Sequence, residues 1–342
     1  MSSLPESFKL SSEELRGLAP ERLRSFLPER YCGGRFTASM ETDFTPEERE
    51  ILRRMYEELG KLMQLAQPRG EDDLDEGNRA LEEFCAETKV GTMAMELEQA
   101  GKAAEGMHDT VTSGILREIT KGPFASIYGI LFLAQQGVAD PGFFSNLFYL
   151  ARDQLKIMRS FILDLDPEKR AEDEVEKYHS IQLLLEKWQG ASYAAFDNEL
   201  KVDFETEFTG HVAERCVEFA ELDRLFYHLA NNAVQHGGDP ALMIQVQPTE
   251  DSESLRFAFI NPIREEQYDL LDQLISSGES LFDRSVCIRG KGFGLSVVAE
   301  SVAHAYGLES RHQAVAGKYV GLRLDPHRFL VWFHWPMVGS TV

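Results

Sequence analysis

The segment Gly290-Lys291-Gly292-Phe293-Gly294-Leu295-Ser296 sets three glycines at alternate positions just before an apolar stretch, SVVAESVAHAYG. Glycines let a backbone turn tightly and bring its N–H groups close to a ligand. A helix starting there adds the partial positive charge of its N-terminus, and both features favour phosphate. Taken alone, such a loop also fits a flexible hairpin turn. A second segment, LDRLFYHLANNAVQHGG from Leu222 to Gly238, places His228, Asn232 and Gln235 on one face of a helix. Adjacent Asn residues are costly inside a helix. With Asn231 read as solvated, the amide oxygen of Asn232 is the candidate ligand for Mg²⁺, which takes oxygen donors and shares its shell with phosphates.

These residues need elements to hold them. Leu222–Gln235 and Ser296–Tyr306 read as helices, and Ala241–Val246, Leu255–Ile260, Gly321–Leu324 and Phe329–Trp335 as strands. Lys201–Phe208, KVDFETEF, alternates apolar and polar like a half-buried strand. Glu174–Trp188 reads as a helix or partial helix. The mixture predicts an α/β sandwich with helices on one face of a mixed sheet.

Upstream the pattern is helical. Thr45-Pro46-Glu47-Glu48 is a helix start, with Thr as N-cap and Pro at the first position. That helix should run to about Ala66, and a second should begin near Asp75. Residues 108–166 read as a hairpin. Leu116, Ile119, Ile127, Ile130, Leu131 and Ala134 line one arm, and Phe144, Leu147, Ala151, Met158, Phe161 and Leu165 the other. Asp140 is the expected N-cap of the return arm, and Pro123 should kink the first. Two such stripes cannot be buried by the hairpin alone. A second copy completing a four-helix bundle would bury them, and so would the rest of the same chain.

With 57 acidic and 35 basic residues among 342, the net charge is −22, which repels nucleic acid and anionic lipid. Cys32, Cys85, Cys216 and Cys287 are far apart, which argues against a zinc site or a disulfide framework and fits a reducing cytoplasm. No signal peptide and no membrane-spanning apolar run is expected. His304, His312, His327 and His334 lack metal spacing, and Trp332 and Trp335 read as core.

LFYHLANNAVQH resembles the N box of sensor histidine kinases, and GKGFGLSVVAESVAHAYG resembles their second glycine box, in the same order. Between them, LRFAFINP stands where these kinases place a strand ending in an adenine-reading Asp; here that position is Asn261. Glu279–Asp283 resembles their phenylalanine-containing stretch before the lid over ATP. The resemblance spans residues 175–340 and implies a Bergerat-type (GHKL) ATP site. Its implied residues are His228, Asn232, Gln235, His236, Asn261, Gly290, Lys291, Gly292, Gly294 and Leu295, with Asn232 on Mg²⁺. His228 stands where many members have Asn.

The hairpin resembles the family's dimerisation and phosphoacceptor domain, in two registers. In one, Met107-His108-Asp109-Thr110 resembles a His-Asp motif, with His108 as nucleophile and Asp109 as base. In the other, Lys121–Gly129 resembles a Pro-containing H box, and the acceptor position falls on Glu118, which cannot form the same phosphoramidate. The expected organisation is an N-terminal helical region over 1–90, a dimerisation and phosphoacceptor hairpin over 91–170, and an ATP-binding domain over 171–342. The fold class is α+β. The implied function is Mg-ATP-dependent autophosphorylation by a homodimer, with transfer to a response-regulator receiver domain. A nucleotide-binding scaffold without phosphotransfer is the alternative.

Overall fold

The computed structural model describes residues 8–18, 37–67, 74–88, 92, 95–96, 99, 110–120, 123–134, 141–195, 198–236, 241–250, 253–283 and 294–338. The chain divides into two compact units. One joins Met1–Cys32 to Glu176–Val342, and the other is Gly33–Val175. The boundary expected at residue 90 therefore falls inside the second unit, and the N-terminal segment belongs with the sheet. That segment contributes helix α1 (Ser12–Gly17).

In the unit 33–175, the described helices are α2 (Met40–Asp43), α3 (Pro46–Leu65), α4 (Leu74–Glu87), α5 (Thr110–Ile119), α6 (Pro123–Ala134), α7 (Pro141–Phe161) and α8 (Pro167–Asp173). Helix α3 starts at the expected Thr45 capping box: Glu48 N–H donates to Thr45 Oγ1 at 3.3 Å, and Thr45 N–H to the Glu48 carboxylate at 2.9 Å. Its buried Ile51, Leu52, Met55, Leu59 and Leu62 follow helical spacing, and the helix packs along α7. Helix α4 packs on α3 and α6, and α5 and α6 pack on α7. The hairpin stripes are thus covered within the same chain. Their burial does not by itself call for a second copy.

The described part of the first arm is two helices, with residues 121–122 between them outside the described residues. Helix α5 ends at Ile119, and α6 starts afresh at Pro123, which has no N–H to give to a preceding turn. At the other end of the hairpin, Arg159 Nε donates to Asp173 at 2.6 Å and Arg159 Nη1 to the Tyr56 hydroxyl at 2.8 Å. Tyr56 in turn donates to Asp166 at 2.8 Å. Burial pushes the Tyr56 hydroxyl up to about 12, so it stays a donor. Asp164 accepts from Ser39 Oγ at 2.6 Å and from the N–H groups of Met40 and Glu41, at the start of α2.

The sheet unit continues with β1 (Glu176–Ser180), α9 (Ile181–Trp188), β2 (Ser192–Ala195), β3 (Asn198–Thr206), β4 (His211–Arg215), α10 (Cys216–His236), β5 (Ala241–Pro248) and β6 (Ser254–Pro262). It ends with α11 (Glu265–Ser276), α12 (Gly294–Ala305), α13 (Arg311–Ala316), β7 (Val320–Asp325) and β8 (Arg328–Pro336). The segment Glu174–Trp188, expected as a helix or partial helix, is helical only from Ile181, after the strand Glu176–Ser180. Pairing of His179 with Ala213 and of Ser180 with His211 draws β1 into a two-stranded antiparallel sheet, and the Ser180 side chain then caps α9. Tertiary pairing overrides local propensity there. The described strands of the main sheet run β2-β3-β5-β6-β8-β7, with β3 and β5 parallel and the other neighbours antiparallel.

Alternation sends Phe257 and Phe259 of β6 and Phe333 of β8 to one face, where Phe226 of α10 meets Phe257 and Phe259 edge-on at 5.6 and 4.9 Å. Ala258, Ile260, Leu330 and Trp332 point to the other face with Met243. Phe8, Leu10, Leu15 and Leu18 cover them. Gln245 fixes this strap by accepting from Leu10 N–H at 2.8 Å and donating to Leu10 C=O at 3.3 Å. Glu14 caps α1 and pairs with Arg328 at 3.3 Å and Arg323 at 3.6 Å. The whole of β6 is buried because both its faces are covered. No helix among the described residues is long and apolar enough to cross a membrane.

Two outcomes follow from this packing. Leu15→Ala removes a side chain only 5% exposed and is expected to cost about 2–5 kcal/mol, read as the denaturant midpoint of the sheet unit. Burial pushes the Asp164 carboxyl up, but hydrogen bonds from Ser39, Met40 and Glu41 outweigh it and hold it below the usual carboxylate range. A depressed folded-state value gives stability that is present above the unfolded value of about 3.9 and lost as pH falls through the folded value. The gap in thermal midpoint between wild type and Asp164→Asn should therefore narrow as pH falls below about 4.

Candidate functional site

Helices α10 and α12 pack against each other on the aromatic face of the sheet. Arg224 Nη2 on α10 donates to Ser301 Oγ on α12 at 2.8 Å, and both side chains are buried. Two turns further along α10, on the same face, stands Asn232. Seven residues back along α12 stands Gly294, its first residue. These two contacts fix the helices as antiparallel, with Arg224 opposite Ser301 and Asn232 opposite Gly294. His228, 6% exposed, lies between them on α10. The base of α10 is held by an ion pair from Lys187 Nζ to Asp223 at 2.8 Å, with Lys187 also over the Tyr227 ring at 4.5 Å.

The approach at the open end is close. A Cβ built on Gly294 would lie 3.0 Å from both Nδ2 and Oδ1 of Asn232. A residue with a Cβ at 294 would press on the carboxamide, which would have to give by a few tenths of an ångström. An amide oxygen is set beside the first backbone groups of a helix, where oxygen ligands and N–H donors converge. Among the described residues no group of three or more His, Cys, Asp or Glu could hold a metal ion. A single amide oxygen fits Mg²⁺, which keeps most of its shell in water and phosphate, and does not fit a metal caged by protein.

The other expected site residues divide into three sets. Gln235 and His236 are the last residues of α10, at the same end as Asn232, and Leu295 follows Gly294 in the first turn of α12. Asn261 lies one residue from the end of β6, on the face that carries Phe257 and Phe259, which α10 also covers. It is 7% exposed, and its Nδ2 donates to Pro262 C=O at 3.0 Å. Gly290, Lys291 and Gly292 lie outside the described residues, as do His108 and Asp109. Glu118, the acceptor position of the alternative register, is in the last turn of α5. Phe282 is buried at a turn closed by Asp283 N–H donating to Ser280 C=O at 2.8 Å.

Sequence reasoning missed the Arg224–Ser301 clasp. Its signal was available: Arg224 shares the i, i+4, i+8 face of His228 and Asn232. It also missed Arg311, at the start of α13, whose Nη2 reaches Asp283 at 3.1 Å. A lone Arg after a Gly-Leu-Glu-Ser turn carries no motif.

No protein-family model matches the chain, and no curated protein does. Solved structures that match it include the Acinetobacter baumannii histidine kinase AdeS, 12% identical, with 64% of this chain and 96% of that chain covered at a TM-score of 0.27. The nucleotide-free catalytic domain of the histidine kinase ThkA is 15% identical over 40% of this chain and 82% of that chain, at a TM-score of 0.25. At such TM-scores the likeness carries no argument, and the site stands on its own geometry.

Gly294→Ala should leave the fold standing, since the backbone there has no positive φ, but must displace the Asn232 amide by a few tenths of an ångström. The thermal midpoint is expected to change little, measured by scanning calorimetry.

Proposed function

We propose that the chain binds Mg-ATP between α10 and α12 and works as a histidine-kinase-like signalling protein. The meeting of Asn232 with Gly294 carries this reading, because two segments of phosphate-and-magnesium type converge at one point. In this reading the backbone from Gly290 to Leu295, with Lys291, holds the phosphates. Asn261 accepts from the adenine amino group, and Asn232 ligates Mg²⁺. Magnesium, when bound, supplies neutralisation of phosphate charge. His228 stands one turn from Asn232, and Gln235 and His236 complete that end of the helix.

For phosphotransfer, a neutral ring nitrogen of His108 attacks the γ-phosphorus. A nitrogen–phosphorus bond forms, and the bond to the β,γ-bridging oxygen breaks, with its electron pair leaving on ADP. Asp109 accepts the proton from the other ring nitrogen. The phosphoryl group then passes to an Asp of a response-regulator receiver domain, within a homodimer of the kinase type.

A second reading, a nucleotide-binding scaffold that transfers nothing, is favoured by a specific observation. Helices α3 and α4 of the same chain cover the hairpin, and Glu118 occupies the acceptor position in the register set by Pro123. Incubation with γ-labelled ATP and Mg²⁺ separates the two. The kinase reading expects acid-labile label that His108→Ala abolishes while nucleotide affinity is unchanged. Nucleotide binding with no label, alone or beside a receiver domain, would establish the scaffold instead.

A further inference from the structure

We infer that the strap over residues 8–18 sets adenine selectivity at the nucleotide site, because it holds the end of β6 that carries Asn261. The inference rests on the Mg-ATP reading above, in which Asn261 accepts from the adenine amino group. That strand end has few other supports. Among the described residues, the pairing of β6 with β5 stops at Ile260, opposite Met243. Asn261 and Pro262 pair with Phe329 and Arg328 of β8, and Pro262 has no N–H to give to the ladder. The Asn261 carboxamide donates to Pro262 C=O, so its orientation follows the position of that same end.

The strap closes on this end from the opposite face of the sheet. Alternation along β6 sends Asn261 to the face of Phe257 and Phe259, and Ile260 to the other. Ile260 lies in the apolar cluster that Leu10, Leu15 and Leu18 of the strap complete. Glu14 of the strap accepts from Arg328 Nη2 at 3.3 Å, and Arg328 is the residue opposite Pro262. Arg328 Nε also donates to Asp325 at 2.7 Å, which ties the same guanidinium to the end of β7. At the start of the strap, Gln245 engages both the N–H and the C=O of Leu10. The strap is thus fastened by polar contacts at Gln245 and at Arg328, and Ile260, the neighbour of Asn261, belongs to the apolar surface it covers. A site discriminates against a base lacking the amino group only if the acceptor is held in hydrogen-bonding geometry.

The test is calorimetric titration of the full chain with Mg-ATP and with the magnesium complex of inosine triphosphate, which carries a carbonyl where adenine carries its amino group. The variants are Gln245→Leu and Glu14→Ala, which loosen the two fastenings without removing an apolar side chain from the core. The wild type is expected to prefer Mg-ATP about tenfold. Either variant should lose most of that preference, through weaker Mg-ATP binding at near-constant affinity for the inosine nucleotide. A strap that only adds stability would lower both affinities together or neither. An undiminished preference in both variants overturns the inference and leaves the Mg-ATP reading standing. A wild type that binds the two nucleotides equally overturns the role of Asn261 and the inference with it. A wild type that binds neither overturns the Mg-ATP reading as well.

Discussion

The side-chain amide of Asn232 stands 3.0 Å from where a Cβ of residue 294 would lie, and the candidate site depends on that close approach. Glycine at the first position of α12 lets the Asn232 amide come this close to the helix start without a tight Cβ contact. The Arg224–Ser301 clasp sets the register that makes the approach possible, and the aromatic layer of Phe226, Phe257, Phe259 and Phe333 seats α10 on the sheet. A slip of one residue in either helix would turn the amide away from the glycine, so the polar site inherits its precision from apolar packing.

Strand β6 is covered on both faces. Helices cover one side, and the strap from Phe8 to Leu18 covers the other, held by an amide of Gln245 that pairs with Leu10 across 235 residues of sequence. Among the described residues of the helical unit, α3 and α4 likewise lie against the hairpin arms. Both arrangements come from N-terminal residues whose sequence names no function. They show that part of the work of the N-terminal region is to bury surfaces that would otherwise need partners.

What could be read from the sequence was what violates ordinary propensity for a reason. Paired asparagines inside an apolar helix and alternating glycines before another are costly unless a ligand needs them. The helices and most of the main-sheet strands around those positions emerge where expected. Elements that depend on distant partners were not legible. EKYHS has no period-two pattern and becomes β1 only by pairing with β4, and the strap is a short polar stretch until Gln245 and the Leu330 face meet it. The helix start at Pro123 was half legible: proline signals a disruption, but a fresh helix start and a kink share the same residue. His108, Asp109 and the glycines at 290 and 292 lie outside the described residues, so their roles rest on resemblance and on the geometry of their neighbours.

The central claim is that Asn232 and the glycine-headed helix hold one magnesium-bound triphosphate. Titration of the protein with ATP, in the presence of Mg²⁺ and again with the metal chelated, tests it most directly. The account predicts saturable heat with one site per chain that weakens strongly when Mg²⁺ is removed, and near-equal weak binding under both conditions in Asn232→Ala. No heat in either condition, or binding in which Mg²⁺ dependence survives intact in Asn232→Ala, would contradict it.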